Sequence, residues 1–334
     1  MAISRSRRSA RTVAGVVAVG VVAVLLAACA PSPAPSGPAS GPPRPSSPTL
    51  GPCPLFPADS VWHADVRSLA PHARSDDWRS TIGSSRGLKA DLGSGTWDGG
   101  PIGIPFTRVG AGQTRVPVAF QYADESDPGP YPIPTDAPVE HGSDHHVIVV
   151  DDAACTLYET FDSTRQPDGS WMAGSGAVWD LRSNALRPAG WTSADAAGLP
   201  ILPGLVRYEE VASGRIDHAI RFTAPVTQRA FLWPARHQAG STSSPTAPPM
   251  GAWFRLRADF DTSRLGPQAR VVAEALKVHG MVLADNGSAW YLSGSPDERW
   301  DNSDLRTLGS ITGSDLVGVD VAPLMVSPDS GQAR

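Results

Sequence analysis

Lysine is almost absent from this chain of 334 residues: apart from Lys89 and Lys277, its permanent cations are arginines. Positive charge as a whole is outweighed, with 28 Lys and Arg against 33 Asp and Glu and a formal net charge of −5. A nucleic-acid partner needs a basic footprint, and none is present. The arginine bias itself reads as a coding-composition effect rather than a functional one. A His-Glu-x-x-His pair, a P-loop and a dinucleotide-binding glycine fingerprint are also missing, which weakens zinc-protease, ATPase and dehydrogenase readings. Long helices cannot dominate, because 33 Gly and 33 Pro interrupt the chain.

Long apolar runs are equally scarce, with one exception at the start. Arg5, Arg7, Arg8 and Arg11 precede an apolar run from Val13 to Ala28, broken only by Gly15 and Gly20. This is the pattern of a secretory signal, short for a membrane span. It ends in Leu26-Ala27-Ala28-Cys29, which resembles the bacterial lipobox. The resemblance implies cleavage after residue 28, acylation of Cys29 (palmitate-type lipid) and anchoring on the outer side of a membrane. Residues 1–28 are therefore assigned as the signal and 29–52 as a disordered Pro/Ser-rich tether. Residues 53–326 are assigned as a single globular domain and 327–334 as a flexible tail. Removing residues 1–28, which carry four arginines and no acid, takes the formal charge from −5 to −9.

Of the 3 cysteines, lipid on Cys29 leaves Cys53 and Cys155 as an even pair in an oxidising compartment. A disulfide between them is expected, with two buried thiols as the alternative.

The remaining chain alternates short strand-forming runs with Gly, Pro, Asp, Asn and Ser clusters. Strands are expected at Val116–Tyr122, His145–Val150, Thr156–Phe161, Ala177–Leu181 and Ile216–Thr223. Others are expected at Ala230–Trp233, Trp253–Ala258, Met281–Ala284 and Ala289–Leu292, with Pro117 confining the first to a sheet edge. The clearest helix runs from Pro267 to His279, with Gly280 as its stop, and shorter ones are expected at Ser75–Ile82, Ser193–Ala197 and Leu205–Ala212. Asp168-Gly169 and Asn286-Gly287 read as turns, and Gln238–Pro248 as a surface excursion. Together these predict a mainly β fold, a β-sandwich or irregular barrel with a few packed helices.

Period-2 alternation singles out two ionisable groups. Glu159 shares a strand face with Cys155, Leu157 and Phe161, and His218 shares one with Ile216, Ile220 and Phe222. A buried ionisable group needs a partner or lines a cleft, so each is either a structural pair member or a site residue. His141-Gly-Ser-Asp144-His145-His146 concentrates metal-capable groups, but His145 and His146 point to opposite faces of a strand unless the strand starts after them; a surface turn is the favoured reading over a site through His141, Asp144 and one of the pair, and no metal site is assigned. The acidic loop Asp124-Glu125-Ser126-Asp127 is read as a solvated turn rather than a calcium site. Asp285 ends a strand next to Trp290 and Tyr291, an arrangement suited to sugar recognition. Trp233 with Arg236-His237 is a second such group. No cofactor is implied.

Four blocks resemble a group of uncharacterised secreted bacterial proteins. They are Cys53-Pro-Leu-Phe-Pro-Ala-Asp-Ser-Val-Trp62, Tyr122-Ala-Asp-Glu-Ser-Asp-Pro-Gly-Pro-Tyr-Pro-Ile-Pro134, Gly204-Leu-Val-Arg-Tyr-Glu-Glu210 with Ile216–Phe222, and Ala275–Gly287. The resemblance implies one intact domain and carries no reaction with it.

Two functions are expected from these features. The first is a carbohydrate-active enzyme on an extracellular polysaccharide. As a hydrolase it uses Glu159 and Asp285 as its carboxyl pair, with Asp144 in reserve. As a lyase it uses His218 or His146 as base and Arg221 to neutralise a uronate, and Trp233, Trp290 and Tyr291 contact sugar in either case. The second is a non-catalytic lipoprotein that binds a surface carbohydrate or another partner.

Overall fold

The computed structural model describes residues 48–334. The expected signal, Cys29 and nearly all of the expected tether lie outside the described residues. Among those described, no helix is long and apolar enough to cross a membrane.

The domain is mainly β, with several sheets and few helices. Ten strands form its two principal sheets: β1 (Lys89–Asp91), β2 (Thr107–Val109), β3 (Val147–Asp151), β4 (Thr156–Phe161), β5 (Ser175–Asp180), β6 (Ile220–Ala224), β7 (Trp253–Leu256), β8 (Met281–Asn286), β9 (Tyr291–Ser293) and β10 (Leu316–Val319). Four helices accompany them: α1 (Ser75–Ile82), α2 (Tyr208–Ser213), α3 (Pro267–Val278) and α4 (Asn302–Leu305). The larger sheet has six strands in the order β10-β7-β8-β6-β9-β1, and the smaller has four in the order β5-β4-β3-β2.

Strand β3 reads Val-Ile-Val-Val-Asp and is buried along its whole length. Its two faces enter different cores: Ile148 and Val150 join the main core with Leu157, Phe222 and Phe254. Val147 and Val149 join a smaller cluster with Tyr131, Tyr158 and Trp171. A continuous apolar run is what a strand covered on both sides requires. The cover over the smaller cluster is a three-stranded sheet of Thr164–Arg165, Trp171–Ala173 and Val118–Phe120. Val118–Phe120 lies at its edge and is shorter than expected, since Pro117 offers no donor for ladder pairing.

Helix α3 matches the sequence pattern closely: Pro267 opens it, and Ala269, Val272, Ala273, Ala275 and Leu276 form its buried stripe. The expected helix at Ser193–Ala197 is instead a turn. The Ser193 hydroxyl accepts from the Asp195 amide (2.9 Å) and donates to the Leu199 carbonyl (2.6 Å), bonds that compete with a helical ladder. Asn286-Gly287 lies where β8 ends and the chain turns toward β9, and β6 lies between those two strands. The Gly287 amide donates to the Ala224 carbonyl (3.0 Å), which carries the chain past the end of β6.

Residues 327–334, expected as a tail, are tied to the domain. The Gly331 carbonyl accepts from the Val61 amide (2.7 Å), the Ala333 amide donates to the Asp59 carbonyl (2.7 Å), and Asp329 pairs with Arg236 (2.7 Å). The expected disulfide is present: Cys53 and Cys155 are bonded across a separation of 102 residues.

Candidate functional site

The polar face of the six-stranded sheet builds the site. On β6 the apolar Ile220, Phe222 and Ala224 are buried on one side, which turns Arg221 and Thr223 to the other. Ser293 of β9 pairs in register with Asp91 of β1, and Tyr291 of β9 with Thr223. Arg221 Nη1 donates to Ser293 Oγ (2.7 Å), so these groups share one face.

Asp285 reaches that face through a register shift. Phe222 pairs with Leu283, but Thr223 pairs with Asp285, leaving Ala284 as an extra residue on β8. Strict alternation would turn Asp285 the same way as Leu283, into the apolar core. The shift turns it beside Arg221 instead, with Asp285 Oδ2 3.6 Å from Nη2.

The 192–198 turn supplies a second carboxylate. Asp195, fully buried, accepts from Arg221 Nε (3.2 Å) and Nη2 (3.0 Å) in a two-point pair. The adjacent Ala194 carbonyl lies 2.9 Å from His146 Nε2, while His146 Nδ1 lies 2.5 Å from Glu140 Oε2. Both imidazole nitrogens thus face acceptors. Burial works against charge on His146, but the bond to Glu140 and its negative charge prevail and hold the imidazolium up to about 9. Glu140 is correspondingly lowered: burial would raise it, and His146 outweighs burial.

Asp285 behaves differently. Its side chain is 19 % exposed, and its pKa is pushed up to about 7, first by desolvation and then by the negative charge of Asp195. Asp144 adds to that push from the loop before β3, and Arg221 opposes it. Asp91 is likewise raised by burial and by the neighbouring Glu140 and Asp144. Asp91, Glu140, Asp144, Asp195 and Asp285 therefore form one electrostatic neighbourhood around Arg221 and His146. Among the described residues, no set of three His, Cys, Asp or Glu is arranged to hold a metal ion.

The other sequence candidates are placed elsewhere or spent on structure. Glu159 is on the expected strand and face but is completely buried. It accepts from the Ile201 amide (3.0 Å), the Leu202 amide (2.9 Å) and Trp179 Nε1 (3.2 Å), so it pins the 201–202 turn rather than facing a cleft. Desolvation pushes its carboxyl up to about 7 against the pull of those amides. His218 lies just before β6, with Nε2 3.2 Å from Glu210 and Nδ1 2.8 Å from the Ala219 carbonyl, and is buried. Arg221, 3 % exposed, is spent on Asp195 and Ser293 and is not available to a uronate.

Trp290 is a core side chain, stacked on Phe222 at 5.5 Å and edge-on to Phe254 at 5.2 Å. Trp233 donates to the Ser330 carbonyl (2.9 Å), and the Tyr291 hydroxyl accepts from Lys89 Nζ (2.9 Å). In the acidic loop, Asp127 pairs with Arg187 and Glu125 accepts from the Thr192 amide (2.9 Å). A Gly-x-Ser-x-Gly string at Gly83–Gly87 follows α1 and precedes β1, the reverse of a hydrolase elbow's strand-then-helix order.

Asp195, Glu140 and Asp91 were not singled out by the sequence. The available signal was Arg221 itself: a cation alternating with Ile220 and Phe222 demands a buried carboxylate, though not a particular one. No protein-family model, curated protein or solved structure matches the chain.

Proposed function

We propose that the protein is an exported lipoprotein, anchored through lipid on Cys29, whose domain hydrolyses glycosidic bonds in an extracellular polysaccharide. The observation that carries this reading is Asp285: a carboxyl group that is raised to about 7 yet 19 % exposed holds its proton near neutrality and can still be reached. That is the requirement on a general acid that protonates a leaving oxygen. Asp144, half-buried on the neighbouring loop, is the second carboxylate. Arg221 and Asp195 are positioning residues that hold the floor beneath Asp285.

Charge favours hydrolysis over elimination from a uronate. Arg221 is matched by Asp195 and His146 by Glu140, and with Asp285 protonated the remaining carboxylates, Asp144 and Asp91, outnumber the one other cation, Lys89. Such a site repels a polyuronate and suits a neutral or amino-bearing sugar.

The alternative, a carbohydrate-binding lipoprotein without activity, draws on Glu159 and His218, whose structural bonds are what it requires. Reducing-end release from a polysaccharide panel, measured for wild type, Asp285→Asn and Asp144→Asn, separates the two. Turnover lost in both variants supports the hydrolase. Binding with no turnover in wild type supports the alternative, and turnover unchanged in Asp285→Asn sinks the assignment of the acid.

A further inference from the structure

Trp97 is the most exposed large hydrophobic side chain among the described residues, 76 % accessible. It sits on a two-strand hairpin, Thr96–Trp97 with Gly100–Pro101, where Trp97 pairs with Gly100. The two residues between them, Asp98 (φ 51°) and Gly99 (φ 94°), both take positive φ, as a tight two-residue hairpin turn requires. The indole is therefore presented on a stiff support and not on a loose loop.

Three contacts fix this hairpin beside the carboxylates. His141 Nε2 lies 2.8 Å from the Asp98 carbonyl, and its side chain packs against Gly100, where a Cβ would come within 2.0 Å of Cγ. His141 immediately follows Glu140, the partner of His146. At the base of the hairpin, the Ser94 amide donates to Asn302 Oδ1 (3.0 Å) and the Ile104 amide to the Gly294 carbonyl (2.9 Å). Gly294 directly follows Ser293, the partner of Arg221. The hairpin thus rises between the end of β1, where Asp91 lies, and the end of β9.

An indole left this accessible forgoes the burial that usually stabilises Trp, and its flat apolar face suits the C–H face of a pyranose. We infer that Trp97 is the stacking platform of a sugar-binding subsite at the rim of the Asp285 site, holding a neutral or amino-bearing pyranose of the same polymer. This rests on the carbohydrate reading proposed above, and it requires binding, not turnover.

The test is binding of intact protein to a panel of neutral glucan, xylan, chitin and chitosan oligosaccharides, with alginate oligosaccharide as the polyuronate control. Wild type, Trp97→Ala and Trp97→Phe are compared by calorimetry, and thermal melting checks their folding. The expected result is that wild type binds at least one neutral or amino-sugar oligomer and Trp97→Ala binds it roughly tenfold more weakly, the scale of losing one aromatic stacking partner. Trp97→Phe recovers most of the affinity, and all three melt alike. Equal affinity in Trp97→Ala overturns the subsite, and so does a wild type that binds no oligomer. Oligosaccharide hydrolysis is scored separately, so a hydrolase indifferent to Trp97 refutes the subsite alone, and Trp97-dependent binding without turnover refutes the hydrolase alone.

Discussion

Arg221 and Asp195 meet at two points inside the domain, with Nε 3.2 Å from Oδ2 and Nη2 3.0 Å from Oδ1, and neither side chain more than 3 % exposed. Removing one partner strands the other's charge in a low-dielectric interior. Arg221→Met is therefore expected to cost about 3–5 kcal/mol, the usual scale for breaking a buried pair from one side. Arg221→Met with Asp195→Leu is expected to recover much of that loss, because no orphan charge remains. Urea denaturation of the two variants checks this, and a double variant no more stable than the single one contradicts it.

Activity above neutrality depends on the proton on Asp285. If Asp285 is the general acid, kcat/KM on a susceptible oligosaccharide falls as pH rises through about 7, where the buried carboxyl ionises. Asp285→Asn is expected to lower kcat by roughly 100-fold or more and to abolish that descending limb. A wild-type profile flat from pH 6 to about 9 rules out this residue as the acid.

The same shift links stability to pH with a definite sign. In the unfolded chain Asp285 ionises near its ordinary value of 3.8, whereas the folded protein retains the proton up to about 7. Folding therefore takes up a proton within that window, and the contribution to stability declines as pH rises across it. Glu159, ordinarily 4.5 and raised to about 7, acts in the same direction. His146 acts later: its contribution is complete below 6.5 and disappears as pH rises through about 9. Melting temperatures of wild type and Asp285→Asn are expected to diverge between pH 4 and about 7, the variant gaining relative to wild type as pH rises. Parallel curves over that range contradict the shift.

These two carboxylates also show how far the sequence could be read. Glu159 was placed on its strand and face by alternation, and the structure puts it there. Alternation says nothing about what packs opposite, and the groups opposite Glu159 are amides from residues 201 and 202, far away in sequence. Asp285 was found by its position at a strand end, but the register shift at Ala284 that turns it toward Arg221 has no signature in the letters. The main helix α3 was legible because its stripe and its Pro and Gly boundaries are local. The turn holding Asp195 was misread as a helix because Ser193, which organises it, is equally plausible as a cap. Trp290, adjacent to a promising carboxylate, takes positive φ and points into the core beside Phe222.

Glu159 is expected to matter for folding and not for turnover. A glutamine there keeps the shape, but its amide nitrogen is itself a donor and must face an N–H that in the wild type meets a carboxylate oxygen. Leaving one buried donor without a partner costs about 1–3 kcal/mol. Glu159→Gln is thus expected to lower the melting temperature by roughly 2–4 °C for each kcal/mol lost while leaving kcat/KM unchanged. A selective loss of activity in a variant of native stability would return Glu159 to the site.

Cys53 and Cys155 join the entry segment to the start of β4, closing a loop with a separation of 102 residues. That crosslink removes many open conformations from the unfolded chain, and both residues are buried in the main core. The paired replacement Cys53→Ala with Cys155→Ala is expected to cost about 2–5 kcal/mol. Because the crosslink acts on the unfolded chain, the surviving folded fraction is expected to bind oligosaccharide with wild-type affinity. Calorimetric binding below the lowered melting transition measures this directly. A weakened affinity there would mean that the disulfide shapes the sugar site itself, in addition to stabilising the domain.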